Sequence, residues 1–147
     1  MFFTQIVIGT LLVAVTVVLH ALALHYIIGR LEAWGPSLYK RTHKYWRTTM
    51  LTIAVTFIFF AHIVQIWLWA LFYWGYTDLP DFETALYFST SCFTTVGFGD
   101  VILEKEWRLL STFQSANGFI LFGWSTAFIF EIMSQLYKNE TIKKWNH

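Results

Sequence analysis

The sequence predicts an all-α membrane protein with three transmembrane helices and a short re-entrant helix that is followed by an extended loop. The chain has 147 residues, of which 56% are hydrophobic and 13% are charged, whereas soluble domains carry about 25% charged residues. Charged residues are absent from three long runs, 2–29, 48–77 and 109–130. Each run exceeds the roughly 20 residues that cross a membrane as an α-helix, so each run predicts one transmembrane helix.

The first of these runs is predicted to be a retained helix and not a signal peptide. It has no basic residue ahead of it, and it is longer than the roughly 7 to 15 apolar residues of a signal peptide. Residues 1–47 therefore comprise an extra N-terminal transmembrane helix and a basic loop, and residues 138–147 form a short tail. The sequence contains no basic tract and no phosphate-binding loop, so it does not indicate nucleic-acid binding. Membrane lipids are the expected partners of the predicted helices.

The distribution of positive charge predicts the orientation of the chain. The basic residues cluster between the first two helices and after the third: Arg30, Lys40, Arg41, Lys44, Arg47, Lys138, Lys143 and Lys144. Segment 78–108 is mainly acidic. Because Lys and Arg accumulate on the cytoplasmic side, we expect the N-terminus outside and the C-terminus in the cytoplasm. A short chain without a targeting sequence favours a plasma (inner) membrane.

An uncharged stretch, TALYFSTSCFTTVGFG at 84–99, lies between the second and third helices. It is too short to cross the membrane twice but long enough to enter and return. A helix over 81–93 would be about 18 Å long. Asp81 or Thr84 can cap its start, with Glu83 in the first turn. The irregular backbone after such a helix is stable at membrane depth only inside protein or beside a water-filled cavity.

The motif TTVGFGD at 94–100 resembles the selectivity filter of potassium channels, with Phe98 where the commonest form has tyrosine. The order of elements is also that of the potassium channel pore domain, over residues 48–137. Its parts are an outer helix at 48–76, a pore helix at 81–93, the filter at 94–100 and an inner helix at 107–137. The resemblance implies a potassium-selective channel that is not an enzyme. It implies no catalytic residue and no cofactor, with K⁺ as the permeant ion.

Filter chemistry explains these residue types, because carbonyl oxygens must replace the water that K⁺ loses. Carbonyls that face one axis require alternating backbone dihedrals, and glycine adopts positive φ readily, which suits Gly97 and Gly99. The Thr95 hydroxyl is expected to close the inner end, and Val96 and Phe98 to pack behind the filter. The residues that the resemblance assigns to the K⁺ site are Thr95, Val96, Gly97, Phe98 and Gly99. One filter per chain implies a homotetramer.

The resemblance is incomplete behind the filter. Ser91 stands where several family members have a glutamate that pairs with the aspartate of the filter. Tyr87 and Phe88 replace two frequent tryptophans, and the Tyr87 hydroxyl can reach Asp100. Asp100 is interpreted either as supported in this way or as a solvated residue that attracts cations at the mouth. The expected supporting residues are Tyr87, Ser91, Thr94 and Asp100.

The third helix contains candidate gating residues. Gly118 and Gly123 lie near the position of the family's hinge glycine, although either glycine can instead permit close helix packing. Glu131 is the only acid within a predicted membrane helix, which makes it a functional candidate. Four copies would form an acidic ring if they face the axis. Alternatively, Glu131 extends to the interface or pairs with Lys138 or a basic residue of the loop.

The gating stimulus is not evident in the sequence. No helix carries Arg or Lys at every third position, so no voltage sensor is predicted. His20, His25 and His62 suggest control by pH or hydrogen bonds between helices. A different class of function uses the same histidines to bind haem or another metal in an electron carrier, which leaves TTVGFGD unexplained. Within the channel class, the alternatives are a weakly selective cation channel and a subunit of a hetero-oligomeric channel.

Overall fold

The computed structural model describes the backbone of residues 2–145 and the side chains of residues 2–138. Within that part of the chain all regular structure is helical, and no strand is present. The elements in chain order are α1 (Phe2–Thr42), a 3₁₀ turn (His43–Tyr45), α2 (Trp46–Tyr76), α3 (Phe82–Phe93) and α4 (Arg108–Trp145).

Helices α1 and α2 form an antiparallel hairpin. The chain reverses at the 3₁₀ turn, where His43 has φ 38°, and the two helices then run side by side. Gly35 of α1 lies beside the Met50 side chain of α2, and His20 lies beside Gln65. The first apolar segment of the chain is therefore folded back on the second.

The basic loop predicted over residues 30–47 is wrong, because α1 continues through this segment to Thr42 with Pro36 inside the helix. The reason is packing. Leu31 and Leu38 extend the apolar side of α1 and contact a hydrophobic cluster that contains Met50 and Ala54 of α2. Charged side chains on the opposite side do not interrupt a helix that keeps such an apolar stripe.

Helix α4 packs against all three other helices. It begins at Arg108 and continues through the predicted tail as far as Trp145. Phe128, Ile129, Ile132 and Leu136 of α4 contact the cluster between α1 and α2. A second cluster, which includes Trp69 and Tyr73, joins α2 to α3 and α4. Together these contacts place both α1 and α3 beside α4.

Two stretches of the described chain are long and apolar enough to cross a membrane, Phe2–Tyr76 and Arg108–Lys138. The first stretch contains both helices of the α1–α2 hairpin. Large apolar side chains lie exposed along these helices, among them Leu11, Leu22, Phe59 and Phe60. Exposed apolar surface of this extent is typical of a chain that contacts lipid or other subunits.

Candidate functional site

Three hydrogen bonds fix the position of α3 between α2 and α4. The Ser89 hydroxyl donates to the Ile66 carbonyl of α2 at 2.8 Å. The Gln114 amide of α4 donates to the Ser89 hydroxyl at 2.7 Å. Near the end of α3, the Ser115 hydroxyl donates to the Cys92 carbonyl at 3.0 Å. The residues that follow Phe93 therefore start from an immobilised helix end.

Gly118 of α4 packs directly against the end of α3. A methyl group at this position would overlap the Phe93 carbonyl oxygen and would lie 2.9 Å from the carbonyl carbon. Of the two interpretations of this glycine, the structure supports close packing. Gly123 has open space where its side chain would be, so close packing does not explain this glycine and its hinge role stays a prediction.

The start of α3 is capped by Asp81. Its Oδ1 accepts a hydrogen bond from the Thr84 backbone N–H at 2.7 Å, so Asp81, and not Thr84, caps the helix. The N–H of Thr84 lowers the pKa of Asp81 because the bond favours the ionised carboxylate. On the same acidic segment, the negative charge of Asp78 raises the pKa of Glu104. The loops around α3 therefore carry concentrated negative charge.

The backbone of the loop 94–100 has a left-handed conformation at every second residue. Thr95 has φ 61°, Gly97 has φ 56° and Gly99 has φ 79°. The glycines adopt these angles without steric penalty. A β-branched residue at positive φ is a genuine outlier, and such outliers cluster at functional sites. The positive φ of Thr95 was not predicted from the sequence, because only glycine signals positive φ reliably.

The N–H groups of this loop point back to the end of α3. The amides of Val96 and Gly97 both donate to the Ser91 carbonyl, at 3.0 and 3.2 Å. The amide of Thr95 donates to the Cys92 carbonyl at 3.0 Å. The amide of Phe98 donates to the Ser91 hydroxyl at 3.3 Å.

The carbonyl groups of the same loop are left without partners. Among the hydrogen bonds of the described residues, none is accepted by a carbonyl oxygen of residues 95–99. Unpartnered carbonyls need either water or a cation. A loop whose N–H groups from Thr95 to Phe98 are bonded and whose carbonyl oxygens from 95 to 99 are available can coordinate a cation through backbone oxygen.

Ser91 supports the loop through hydrogen bonds to its backbone. It is 7% exposed, and it accepts three N–H groups, two at its carbonyl and one at its hydroxyl. Thr94 ends α3, and its hydroxyl donates to the Thr90 carbonyl at 2.8 Å. Ser91 therefore sets the direction of three successive peptide groups.

Tyr87 contacts the outer end of the loop at two points. Its hydroxyl donates to Oδ2 of Asp100 at 2.7 Å, so the hydrogen bond expected from the sequence is present. Its ring lies parallel to the ring of Phe98, with 6.3 Å between centroids and 8° between planes. Asp100 is exposed as well as hydrogen-bonded, and the two interpretations of this residue are compatible.

Val96 and Phe98 are not covered within one chain, although they were expected to pack behind the loop. Val96 is 54% exposed and Phe98 is 69% exposed. Every residue from 94 to 100 is exposed. Exposed apolar side chains of this size are typical of a surface that contacts another protein chain or lipid.

One side of α4 between residues 116 and 131 carries mainly small residues. Ala116, Ile120, Gly123, Ala127 and Glu131 follow one another at helical spacing, and all are exposed. The Gln135 amide donates to Oε1 of Glu131 at 2.9 Å. The expected pairing of Glu131 with Lys138 is not observed. The structure thus places the carboxylate on the same side as Gly123.

The three histidines do not form a metal centre. His20 and His62 are buried and take part in hydrogen bonds between helices, which are described below, while His25 is exposed on the other side of α1. In the part of the chain that the structure describes, no group of three or more His, Cys, Asp or Glu side chains could hold a metal ion.

A model of the ion channel family matches residues 48–135. The match covers more than half of the chain, including α2, α3, the loop 94–100 and most of α4, so the chain belongs to the ion channel family. No curated protein and no solved structure matches the chain. Helix α1 lies outside the matched region.

Proposed function

We propose that this protein is a potassium-selective channel that conducts K⁺ passively through a filter made from four copies of Thr95–Gly99. The observation that carries the proposal is the polarity of the loop 94–100. Its N–H groups bond to the end of α3, and its carbonyl oxygens remain available. Backbone carbonyls replace the hydration shell of K⁺ in potassium-selective filters.

The exposure of the loop supports assembly as a homotetramer. One chain supplies one filter strand and leaves Val96 and Phe98 uncovered. Three further copies around an axis would cover these side chains and complete rings of carbonyl oxygens. Native mass spectrometry in detergent should give four chains per particle. A particle of two or three chains would contradict this stoichiometry.

The same proposal gives α1, α2 and α4 one membrane crossing each. Exposed apolar side chains on α1 and α2 support this arrangement, as does the folded-back hairpin. The charge distribution supports a cytoplasmic C-terminus, and we propose the plasma (inner) membrane as the location. Reporter fusions at the two ends should give opposite sidedness, and identical sidedness would exclude three crossings.

The deciding experiment is the reversal potential of the purified protein in a planar bilayer, with K⁺ on one side and Na⁺ on the other. We expect a reversal close to the K⁺ equilibrium potential. A Gly97→Ala variant is the control, because alanine is strained at φ 56°, and it should lose selectivity or current. A reversal near zero for the wild type would favour the weakly selective alternative.

Silence of the purified protein must be separated from a need for a second type of subunit. The protein should therefore also be tested in whole cells of an expression host. K⁺ current that appears only when a second channel subunit is co-expressed would favour the hetero-oligomeric alternative. K⁺ current from the chain alone would exclude a strict requirement for a partner.

A further inference from the structure

Four buried side chains form a closed ring of hydrogen bonds between α1, α2 and α4. The ring consists of His20, Gln65, His62 and Ser125, none of which is more than 6% exposed. The distances around the ring are 3.0 Å from Gln65 Nε2 to His20 Nδ1 and 3.1 Å from His20 Nε2 to Ser125 Oγ. They continue at 3.0 Å from Ser125 Oγ to His62 Nε2 and 3.3 Å from His62 Nδ1 to Gln65 Oε1.

The donors and acceptors of this ring require the two histidines to have opposite tautomers. The Gln65 N–H donates to His20 Nδ1, so His20 carries its proton on Nε2 and donates it to Ser125. The Ser125 hydroxyl hydrogen is then free for His62 Nε2, and His62 donates from Nδ1 to Gln65. Turning the Gln65 amide round reverses all four bonds and exchanges the two tautomers. In either direction the two imidazoles are neutral and have opposite tautomers.

The ring is the last hydrogen-bonded connection between α1 and α4 along the described part of the chain. Two further hydrogen bonds join α1 and α4 nearer the start of both helices. In the first, the Gln5 carboxamide oxygen accepts from the Leu109 backbone N–H at 3.1 Å. The Asn117 amide donates to the Thr16 hydroxyl at 2.7 Å. Below the ring, the contacts of α4 with α1 are apolar and belong to the cluster around Leu24 and Ile27. Two helices that meet through apolar side chains can slide by small distances along each other. A ring of hydrogen bonds between them resists such sliding, because its donors and acceptors must stay aligned.

We propose that this ring positions the inner helix α4 and sets the upper limit of its moving part. The segment from Leu109 to Ser125 is held by α1, and Gly118 is held by α3, so bending is confined to the part of α4 that follows Ser125. Gly123 lies two residues before Ser125, inside the held segment. Helix α1, which lies outside the matched family region, is thereby assigned a role as the fixed support of the inner helix.

The inference deepens the proposed function, since it concerns movement of a helix that the proposed function places around the pore. Its first test does not depend on current. Nitrogen-15 NMR of the histidine side chains of the wild-type protein should show two buried neutral imidazoles with opposite tautomers. Two like tautomers, or a charged imidazole at position 20 or 62, would exclude the closed ring. Assignment uses His20→Gln and His62→Gln variants.

The second test measures the position of α4. Spin labels at Leu22 and Phe130, both exposed, report the distance between α1 and the lower part of α4. The labelled chains carry Cys92→Ala and are diluted with unlabelled chains, so that each assembly holds one labelled copy. We expect Ser125→Ala to broaden or shift this distance distribution and Ser125→Thr, which keeps the hydroxyl, to restore it. An unchanged distribution in Ser125→Ala would overturn the positioning role.

The third test concerns gating and includes a matched control on the same helix. His20→Ala and Ser125→Ala should each change the equilibrium ratio of open to closed channels. Their combined effect should be at least about three-fold smaller than the product of the single effects, because both break the same ring. His25→Ala, on the exposed side of α1, should multiply independently with Ser125→Ala. Independence of His20 and Ser125 would overturn the inference.

The outcomes separate the two proposals. Absence of K⁺-selective current in the wild type, together with opposite tautomers and a restored distance in Ser125→Thr, would reject the proposed function and keep the ring. Selective current together with like tautomers would keep the proposed function and reject the ring.

Discussion

The Tyr87 hydroxyl lies 2.7 Å from Oδ2 of Asp100, and this bond joins α3 to the outer end of the loop 94–100. Residues 87 and 100 are thirteen positions apart, and both are exposed in the single chain. The bond therefore restrains a segment that no other side chain of the same copy covers. Its loss should affect the durability of the conducting state more than the fold.

Tyr87→Phe removes this hydrogen bond and keeps the parallel stack on Phe98. We expect the current to decay about two- to three-fold faster during sustained opening, a modest effect because water can replace an exposed hydroxyl. Macroscopic current decay in reconstituted patches measures it. Asp100→Asn, which retains an acceptor oxygen, should decay at an intermediate rate. Equal decay in Tyr87→Phe and wild type would show that the bond does not support the loop.

Ser91→Ala leaves the N–H of Phe98 without its hydroxyl partner. The lost bond should cost about 1 kcal/mol, which corresponds to about a five-fold fall in the K⁺ to Na⁺ permeability ratio if that cost falls on the K⁺-selective conformation. Bi-ionic reversal potentials measure this ratio. Ser91→Thr keeps the hydroxyl and is the control within the site. A permeability ratio equal to that of the wild type would show that the Ser91 carbonyl alone holds the loop.

Gly118→Ala and Gly123→Ala form a matched pair on one helix. The methyl group at 118 overlaps the Phe93 carbonyl, and overpacking of this kind should cost about 1–3 kcal/mol of folding free energy. The methyl group at 123 enters open space and should be tolerated by the fold. Thermal unfolding of the two variants in detergent measures the difference. Equal midpoints would contradict the packing described here.

Protonation of Asp81 should weaken the start of α3. Its folded pKa is lowered by the N–H of Thr84, so the cap contributes stability above the unfolded pKa of Asp. This contribution is lost as the pH falls through the lowered, folded pKa. Asp81→Asn keeps a capping side chain that does not titrate. The unfolding midpoint of the variant should therefore depend less on acidic pH than that of the wild type, as a thermal series from neutral to about pH 3 would measure.

Glu131→Gln tests whether four carboxylates concentrate K⁺ at the inner end of the proposed pore. We expect about a two-fold reduction of outward single-channel current at low salt and a smaller reduction at high salt, since mobile ions screen the ring. Glu32→Gln, which removes an exposed carboxylate from α1, should leave conductance unchanged. Glu131→Gln with wild-type conductance at both salt concentrations would place the carboxylate away from the ion path.

Much of the fold follows from local signals in the sequence, and the remainder depends on contacts between distant segments. The uncharged runs indicate the apolar helices, and Asp81 indicates the start of α3. The helical conformation of residues 30–42 was missed because charged side chains suggested a loop, whereas Leu31 and Leu38 kept one side apolar. Thr95 gave no sign of its positive φ. The Tyr87–Asp100 bond was anticipated because the family resemblance places residue 87 of the pore helix behind the aspartate that ends the motif.

The ring of His20, Gln65, His62 and Ser125 could not be read from spacing. Its histidines lie on separate helices, and Ser125 is 105 residues from His20. The two histidines come together only because the register of the α1–α2 hairpin places them side by side. The sequence offered histidines as candidates for pH control or for hydrogen bonds between helices, and it gave no reason to include Ser125.

The length of α1 has a consequence for the shape of the molecule. Its 41 residues span about 60 Å at about 1.5 Å per residue, which is about twice the thickness of a hydrocarbon core of roughly 30 Å. Helix α4 is nearly as long, with 38 residues. One crossing of the membrane by α1, as proposed above, would leave about half of its length outside the hydrocarbon core. The basic residues Arg30, Lys40 and Arg41 lie near the end of α1, so that end of the helix would extend into water beside the start of α2.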